Sequence, residues 1–137
     1  PKQIHQVRTM SETNCPFCTI PPAAYAAEFE HFFVLRDLYP VSPGHSLIIP
    51  KRHMLDMFEL TQEEFSSLHE VLAQTKQVLE AEFTPDGYNV GVNIGEVAGQ
   101  SVMHLHIHLI PRFTGDIADP RGGIRWIIPE KAPYWDD

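Results

Sequence analysis

His104-Leu105-His106-Ile107-His108-Leu109-Ile110 alternates histidine with apolar residues. In an extended strand successive side chains point to opposite faces, so this run places its three imidazoles on one face. Leu105, Ile107 and Leu109 then share the other face and pack into a core. Packing alone would be served by Val or Thr, which bring no ring nitrogens to satisfy. A row of three imidazoles therefore points to chemistry. Two kinds fit: histidines holding a catalytic metal, or one neutral imidazole acting as nucleophile toward phosphorus.

The neighbouring segments give that strand its setting. Tyr88 to Ile94 alternates again, with Tyr88, Val90, Val92 and Ile94 on one side and Asn89, Gly91 and Asn93 on the other. Small and amide residues are what a site wall requires. Gly95 to Ser101 follows as a glycine-containing loop whose N–H groups are candidates for holding an anion. Phe32 to Asp37 and Ser46 to Pro50 read as two more strands, joined across the Tyr39-to-His45 loop with its two prolines and glycine. Thr61-Gln62-Glu63-Glu64 has the capping-box form, with Leu60 and Phe65 placed for a hydrophobic staple. Apolar residues at Phe65, Leu68, Leu72, Leu79 and Phe83 continue it as the one long helix, which Thr84-Pro85-Asp86-Gly87 ends. Ala23 to Phe29 is ambiguous between helix and strand.

Composition narrows the class. The chain has 137 residues, 43% of them hydrophobic, which suits one domain with its own core. Its formal net charge of −8 speaks against an extended nucleic-acid interface. No apolar run approaches a membrane span, and no signal-peptide pattern is read at the start, so a cytoplasmic location is the expectation. Cys15-Pro16-Phe17-Cys18 contains the only two cysteines. The spacing suits zinc, which then needs two further ligands. A thioredoxin-like redox pair competes, although Ile20-Pro21-Pro22 argues against the helix it needs. A pair of buried thiols is the bland alternative. Arg121 and Arg125 in the irregular C-terminal stretch are candidates to meet phosphates, but solvated cations are the first reading.

The histidine run matches, without a departure, the signature H-φ-H-φ-H-φ-φ of the histidine triad (HIT) family. The resemblance extends through Pro43-Gly44-His45, Pro50-Lys51-Arg52-His53, Asn93, Gly99-Gln100-Ser101-Val102 and Pro111-Arg112, roughly Cys15 to Arg112. It implies an α+β fold: an antiparallel sheet of about five strands with one long helix and shorter helical segments. The implied organisation is a flexible segment 1–14, the domain at 15–113 and a tail at 114–137. Family members are nucleotide hydrolases and transferases acting at the α-phosphate.

Carried over residue by residue, the resemblance implies that His106 is the nucleophile of a nucleotidyl-histidine intermediate and that His108 contacts the α-phosphate. Ser101 and Gln100 are implied partners of the bridging or leaving oxygen. Asn93 and the Gly99 amide are implied near the phosphates, Asp37 at the ribose, and Phe17, Leu35 and Leu38 around the base. Bacterial members with the C-x-x-C pair bind zinc. The matching set here is Cys15, Cys18, His53 and His104, a closed structural site. A homodimer is expected. The substrate is expected to be an adenine nucleotide, with dinucleoside polyphosphates giving AMP placed first. Alternatives are adenosine phosphoramidates, phosphorolysis in place of hydrolysis, or a zinc-held nucleotide-binding module with little turnover. The tail, with Gly122 to Trp126, is placed to reach over a site, its own or a partner's, and tune substrate choice.

Overall fold

A computed structural model describes residues 14–136. Five antiparallel strands form one sheet: β1 (Ala27–Glu28), β2 (Phe32–Arg36), β3 (Ser46–Pro50), β4 (Gly87–Val92) and β5 (Ile107–Arg112). Their spatial order is β1-β2-β3-β5-β4, so β5 is inserted between β3 and β4. One long helix, α1 (Gln62–Phe83), connects the two halves, and short 3₁₀ turns punctuate the loops. The expected fold class is the one found. Among the described residues no helix is long and apolar enough to cross a membrane. The expectation of a loose N-terminal segment falls, Asn14 apart, outside the described residues.

Strand alternation divides the sheet into two faces. One carries Phe32, Val34, Ile48, Leu105, Ile107 and Leu109, which pack with Leu68, Val71 and Leu79 of α1. The other carries Phe33, Leu35, Leu47 and Ile49, covered by Phe17, Ile20 and Tyr25 from the N-terminal knuckle. Helix and chemistry thus occupy opposite faces, and the histidines share the face away from α1.

The start of α1 is the predicted capping box: Thr61 Oγ1 accepts from Glu64 N at 3.1 Å, and Glu64 Oε1 accepts from Thr61 N at 2.8 Å. Arg52 adds two donors to the same carboxylate, at 2.8 and 3.1 Å. That pairing, led by the Arg52 hydrogen bond, holds Glu64 down to about 2. The buried stripe of α1 is Glu64, Leu68, Val71, Thr75 and Leu79. Phe65 is instead 50% exposed and lies outside that stripe. The reason is angular: with Leu68, Val71 and Leu79 facing the sheet, position 65 lies off the stripe. Thr84 closes the helix in the left-handed region at φ 49°.

Two strand boundaries also differ from expectation. β4 stops at Val92, two residues early. β5 begins only at Ile107, so of the three histidines His108 alone lies in the strand. Ahead of it the Leu105 N–H bonds to Met54 O at 2.8 Å, outside the ladder. The alternation of faces nevertheless persists, since Leu105 joins Ile107 and Leu109 in the core.

Candidate active site and metal centre

The three imidazoles lie in sequence along the face away from α1, and each is fixed by a different partner. His104, fully buried, bonds through Nε2 to the Pro50 carbonyl at 2.8 Å. A carbonyl only accepts, so that nitrogen carries the hydrogen and Nδ1 carries the lone pair. Burial pushes the ring down to about 4, which keeps it neutral. His106, 9% exposed, bonds through Nδ1 to the His104 carbonyl at 2.8 Å. By the same logic its Nδ1 holds the hydrogen and its Nε2 the lone pair. The Phe17 ring meets His104 and His106 edge-on, at 5.8 and 5.3 Å between centroids.

His108 is set by a residue whose role the sequence did not disclose. The Val41 N–H donates to His45 Nδ1 at 3.1 Å, so a neutral His45 must carry its hydrogen on Nε2. That Nε2 stands 2.9 Å from His108 Nδ1 and 3.4 Å from Asp37 Oδ2. His108 Nδ1 is therefore an acceptor, and its hydrogen sits on Nε2. A charged His108 would turn a second hydrogen toward the His45 donor. Desolvation lowers the affinity of both rings for a proton, and His106 and His45 lower that of His108 further. The site thus offers an imidazole oriented so that its neutral form carries the lone pair on His106 Nε2, beside an imidazole with an N–H to donate, His108 Nε2. The only sign of His45 in the sequence was Pro43-Gly44-His45 at the mouth of β3, and its contact spans 63 positions.

Cys15, Cys18, His53 and His104 converge, as the resemblance implied. His104 Nδ1 lies 3.4 Å from each sulfur and 3.1 Å from His53 Nδ1, and Cys18 Sγ lies 3.2 Å from His53 Nδ1. Tetrahedral zinc with these donors has ligand–ligand edges of about 3.3–3.8 Å, from bond lengths of about 2.0–2.3 Å. All four donor atoms lie within 4.8 Å of one another, and the lone pair of His104 is aimed among them. The cluster fits a closed zinc site. The knuckle that presents it is tied by Cys18 N to Cys15 Sγ at 3.4 Å and Thr19 N to Cys15 O at 3.1 Å.

The remaining expected residues divide. Asn93 is half-buried and lines a cavity of about 770 Å³ together with His45 and His108. Leu35 is buried in the cluster that Phe17 covers. Asp37 sits at the end of β2, its Oδ1 accepting from Tyr39 N at 2.9 Å. Ser101 is exposed on a smaller cavity beside Cys15. Leu38 is 87% exposed.

Two further expected residues are engaged within their own loop. Gln100 is 5% exposed and its amide is consumed: Oε1 accepts from Gly95 N at 2.9 Å, while Nε2 donates to Leu55 O at 2.9 Å and Val102 O at 3.2 Å. It clamps its loop through both ends of the amide. The Gly99 N–H is likewise turned onto Glu96 O at 2.9 Å, closing the 3₁₀ turn Glu96–Ala98. The Ala98 and Gln100 N–H groups bond to Gly95 O, so these amides form no anion cradle.

Comparison with known proteins agrees with this geometry. A family model for the HIT domain matches residues 21–115. The chain is 44% identical over 101 residues to the bis(5'-adenosyl)-triphosphatase of Dictyostelium discoideum, covering 74% of this chain and 68% of that protein. It is 39% identical over 104 residues to Protein hit of Bacillus subtilis, covering 73% and 72%. The crystal structure of a Zn-bound histidine triad family protein from Mycobacterium smegmatis superposes with a TM-score of 0.70 at 32% identity, covering 79% of this chain and 81% of that one. The matched span takes in all five strands, the long helix and the three imidazoles, and on that ground the chain belongs to the HIT domain family.

Proposed function

We propose that this protein is a nucleotidyl hydrolase or transferase that attacks the α-phosphorus of a nucleotide through His106. The observation that carries the reading is the hydrogen bond from His106 Nδ1 to the His104 carbonyl, which leaves the lone pair on Nε2. In the first step Nε2 bonds to phosphorus while the bond from phosphorus to the leaving oxygen breaks, its electron pair departing with that oxygen. In the second, a water oxygen bonds to phosphorus and the P–N bond breaks, returning the pair to Nε2. One water proton is lost to solvent. His108 Nε2–H donates to a non-bridging oxygen as its charge grows, the kind of preorganised donor worth about 10²–10³ in rate.

Asn93 and the Ser101 hydroxyl supply further donors, Asp37 meets the ribose, and Phe17 with Leu35 walls the base. Cys15, Cys18, His53 and His104 hold structural zinc. When bound, the metal ties the knuckle to the residue before Leu105 and takes no part in the phosphorus chemistry. The protein works as a homodimer in the cytoplasm, where thiols stay reduced.

Dinucleoside polyphosphates giving AMP are the first substrates to test. Incubation with diadenosine tetraphosphate, with and without inorganic phosphate, is followed by chromatography beside a His106→Ala control. AMP plus ATP, absent in the control, is the expected result. ADP plus ATP appearing only with phosphate identifies a phosphorylase. Turnover that survives in His106→Ala refutes the nucleophile, and AMP binding without turnover leaves a binding module.

A further inference from the structure

His45 holds one hydrogen between two acceptors. Its Nδ1 accepts from Val41 N at 3.1 Å, so the neutral ring carries its hydrogen on Nε2. From that nitrogen His108 Nδ1 stands at 2.9 Å and Asp37 Oδ2 at 3.4 Å. The three side chains come from separate elements: Asp37 follows β2, His45 precedes β3 and His108 lies in β5. The backbone holds them together, because Asp37 N donates to His45 O at 3.0 Å and Leu47 of β3 pairs with His108. His45 is buried, and Asp37 and His108 are half-buried.

The two acceptors are unequal. The imidazole is nearer and at an ordinary hydrogen-bond length. The carboxylate is farther, but it is charged, and a charged acceptor makes roughly twice as strong a hydrogen bond. One hydrogen cannot serve both fully. A small tilt of the His45 ring carries it from His108 toward Asp37. His108 Nδ1 then loses the donor that keeps its own hydrogen on Nε2. The first carboxylate oxygen already has a task, since Asp37 Oδ1 accepts from Tyr39 N at 2.9 Å. Oδ2, beside His45, is the oxygen with capacity to spare, and a ligand hydroxyl that donates to the carboxylate uses that capacity.

We propose that Asp37 is a positioning residue that couples ribose occupancy to His108. The sugar hydroxyls donate to the carboxylate, the carboxylate releases its pull on the His45 hydrogen, and that hydrogen settles on His108 Nδ1. The inference rests on the nucleotidyl-transfer reading above, with Asp37 at the ribose. Its consequence is that ribose is recognised in the rate of the chemical step as well as in affinity. A nucleotide without the two hydroxyls leaves Asp37 competing, and reacts in a site whose His108 tautomer is less firmly set.

Asp37→Asn is the informative variant because the geometry dictates how the amide sits. Its oxygen stays on the Tyr39 N–H, where an NH2 would meet a donor. Its NH2 then faces His45 Nε2, where it accepts nothing, and His108 is the remaining acceptor of the two. The full chain, unaltered and as Asp37→Asn, is given diadenosine tetraphosphate or the analogue built from 2′,3′-dideoxyadenosine. Single-turnover rate constants at saturating enzyme are read beside KM, which separates chemistry from binding. In the unaltered protein the dideoxy analogue should show a raised KM and also a rate constant lower by up to about 12-fold, the upper range for one neutral hydrogen bond. In Asp37→Asn the analogue's rate constant should rise, while KM for the ribonucleotide increases. Equal rate constants for the two substrates in the unaltered protein overturn the coupling and leave Asp37 a ribose contact. A dideoxy rate constant that falls further in Asp37→Asn also overturns it, because the carboxylate then supports the His45 bond instead of competing for it. Both results leave nucleotidyl transfer through His106 standing. His45→Leu decides the matter a second way: with no hydrogen to share, the gap between the two substrates should close, and a gap that persists refutes the proposal. Thermal melting verifies that both variants fold. If diadenosine tetraphosphate itself yields no AMP through His106, the proposed function falls and the coupling falls with it.

Discussion

Replacing His45 tests how the site sets the proton on His108. His45→Leu removes the donor 2.9 Å from His108 Nδ1 and leaves His108 free to carry its hydrogen on either nitrogen. The Val41 N–H also loses its acceptor, but Val41 is 71% exposed and water replaces it. One neutral hydrogen bond contributes about 0.5–1.5 kcal/mol, so the ratio of the correct tautomer to the other should fall by about 2–12-fold, which sets the largest loss in kcat that the tautomer alone can cause. The ceiling is set by His108→Ala, which deletes the donor and should cost about 10²–10³. His45→Gln restores an N–H at the same place and should recover most of the loss. Steady-state kinetics on whichever nucleotide is turned over, with the pH profile of kcat, is the assay. His45 lowers the proton affinity of His108, so in His45→Leu the acid limb of the profile should move to higher pH. Equal losses in the Leu and Gln variants, or a Leu variant as impaired as His108→Ala, would refute the reasoning.

Stability should fall as pH drops below about 6.5. The His45 and His108 rings bind protons less readily folded than unfolded, so the unfolded chain takes up more protons there and is favoured; urea midpoints between pH 7.5 and 5.5 check this. A second loss follows between about pH 4.5 and 2, where Glu64 is protonated first in the unfolded chain. Gly44→Ala should cost about 2–5 kcal/mol, combining left-handed strain at φ +86° with a Cβ only 2.8 Å from the Phe83 ring; a two-state urea titration measures it. Protein purified without chelator should carry one zinc per chain. Cys15→Ser should lose the metal and melt at a lower temperature, and stoichiometric zinc in that variant would refute the ligand set.

The parts of this fold that could be read in advance are those in which a local period decides burial. The alternation around His106 placed Leu105, Ile107 and Leu109 in the core because a pleated backbone leaves few other choices. The capping box at Thr61 was legible because its partners lie three positions apart. Phe65 was misplaced because a 22-residue helix offers several overlapping apolar stripes, and only contact with the sheet selects among them. The hydrogen bonds of Gln100 and the Gly99 amide were not legible for a different reason. A glycine loop that can face a ligand can equally satisfy itself, and in the tight turn at Glu96–Ala98 those groups bond within the loop. His45 and the packing of the 3₁₀ turn Gly123–Ile127 on β4 were hidden because their partners are distant in the chain. No period connects residue 45 to 108, or Ile124 to Gly91.

What joins the two clusters is a single residue. His104 presents its ring to the cysteines and His53, and presents its carbonyl to His106 Nδ1. The ring is anchored at Nε2 by Pro50, the last residue of β3, so its Nδ1 has one direction to point. Whatever holds that ring also holds the peptide whose oxygen selects the His106 tautomer. The cysteine and histidine cluster thereby sets which nitrogen of His106 carries the lone pair without touching that ring. The arrangement accounts for a requirement the signature alone leaves unexplained: the first histidine has to sit two residues before the second. The first ring can then face away while its own carbonyl reaches the second ring. Any residue at 104 has a carbonyl, but only one whose side chain is pinned on both sides of the ring keeps that carbonyl in place. In this chain the pins are Pro50 on one side and the Cys15, Cys18, His53 cluster on the other.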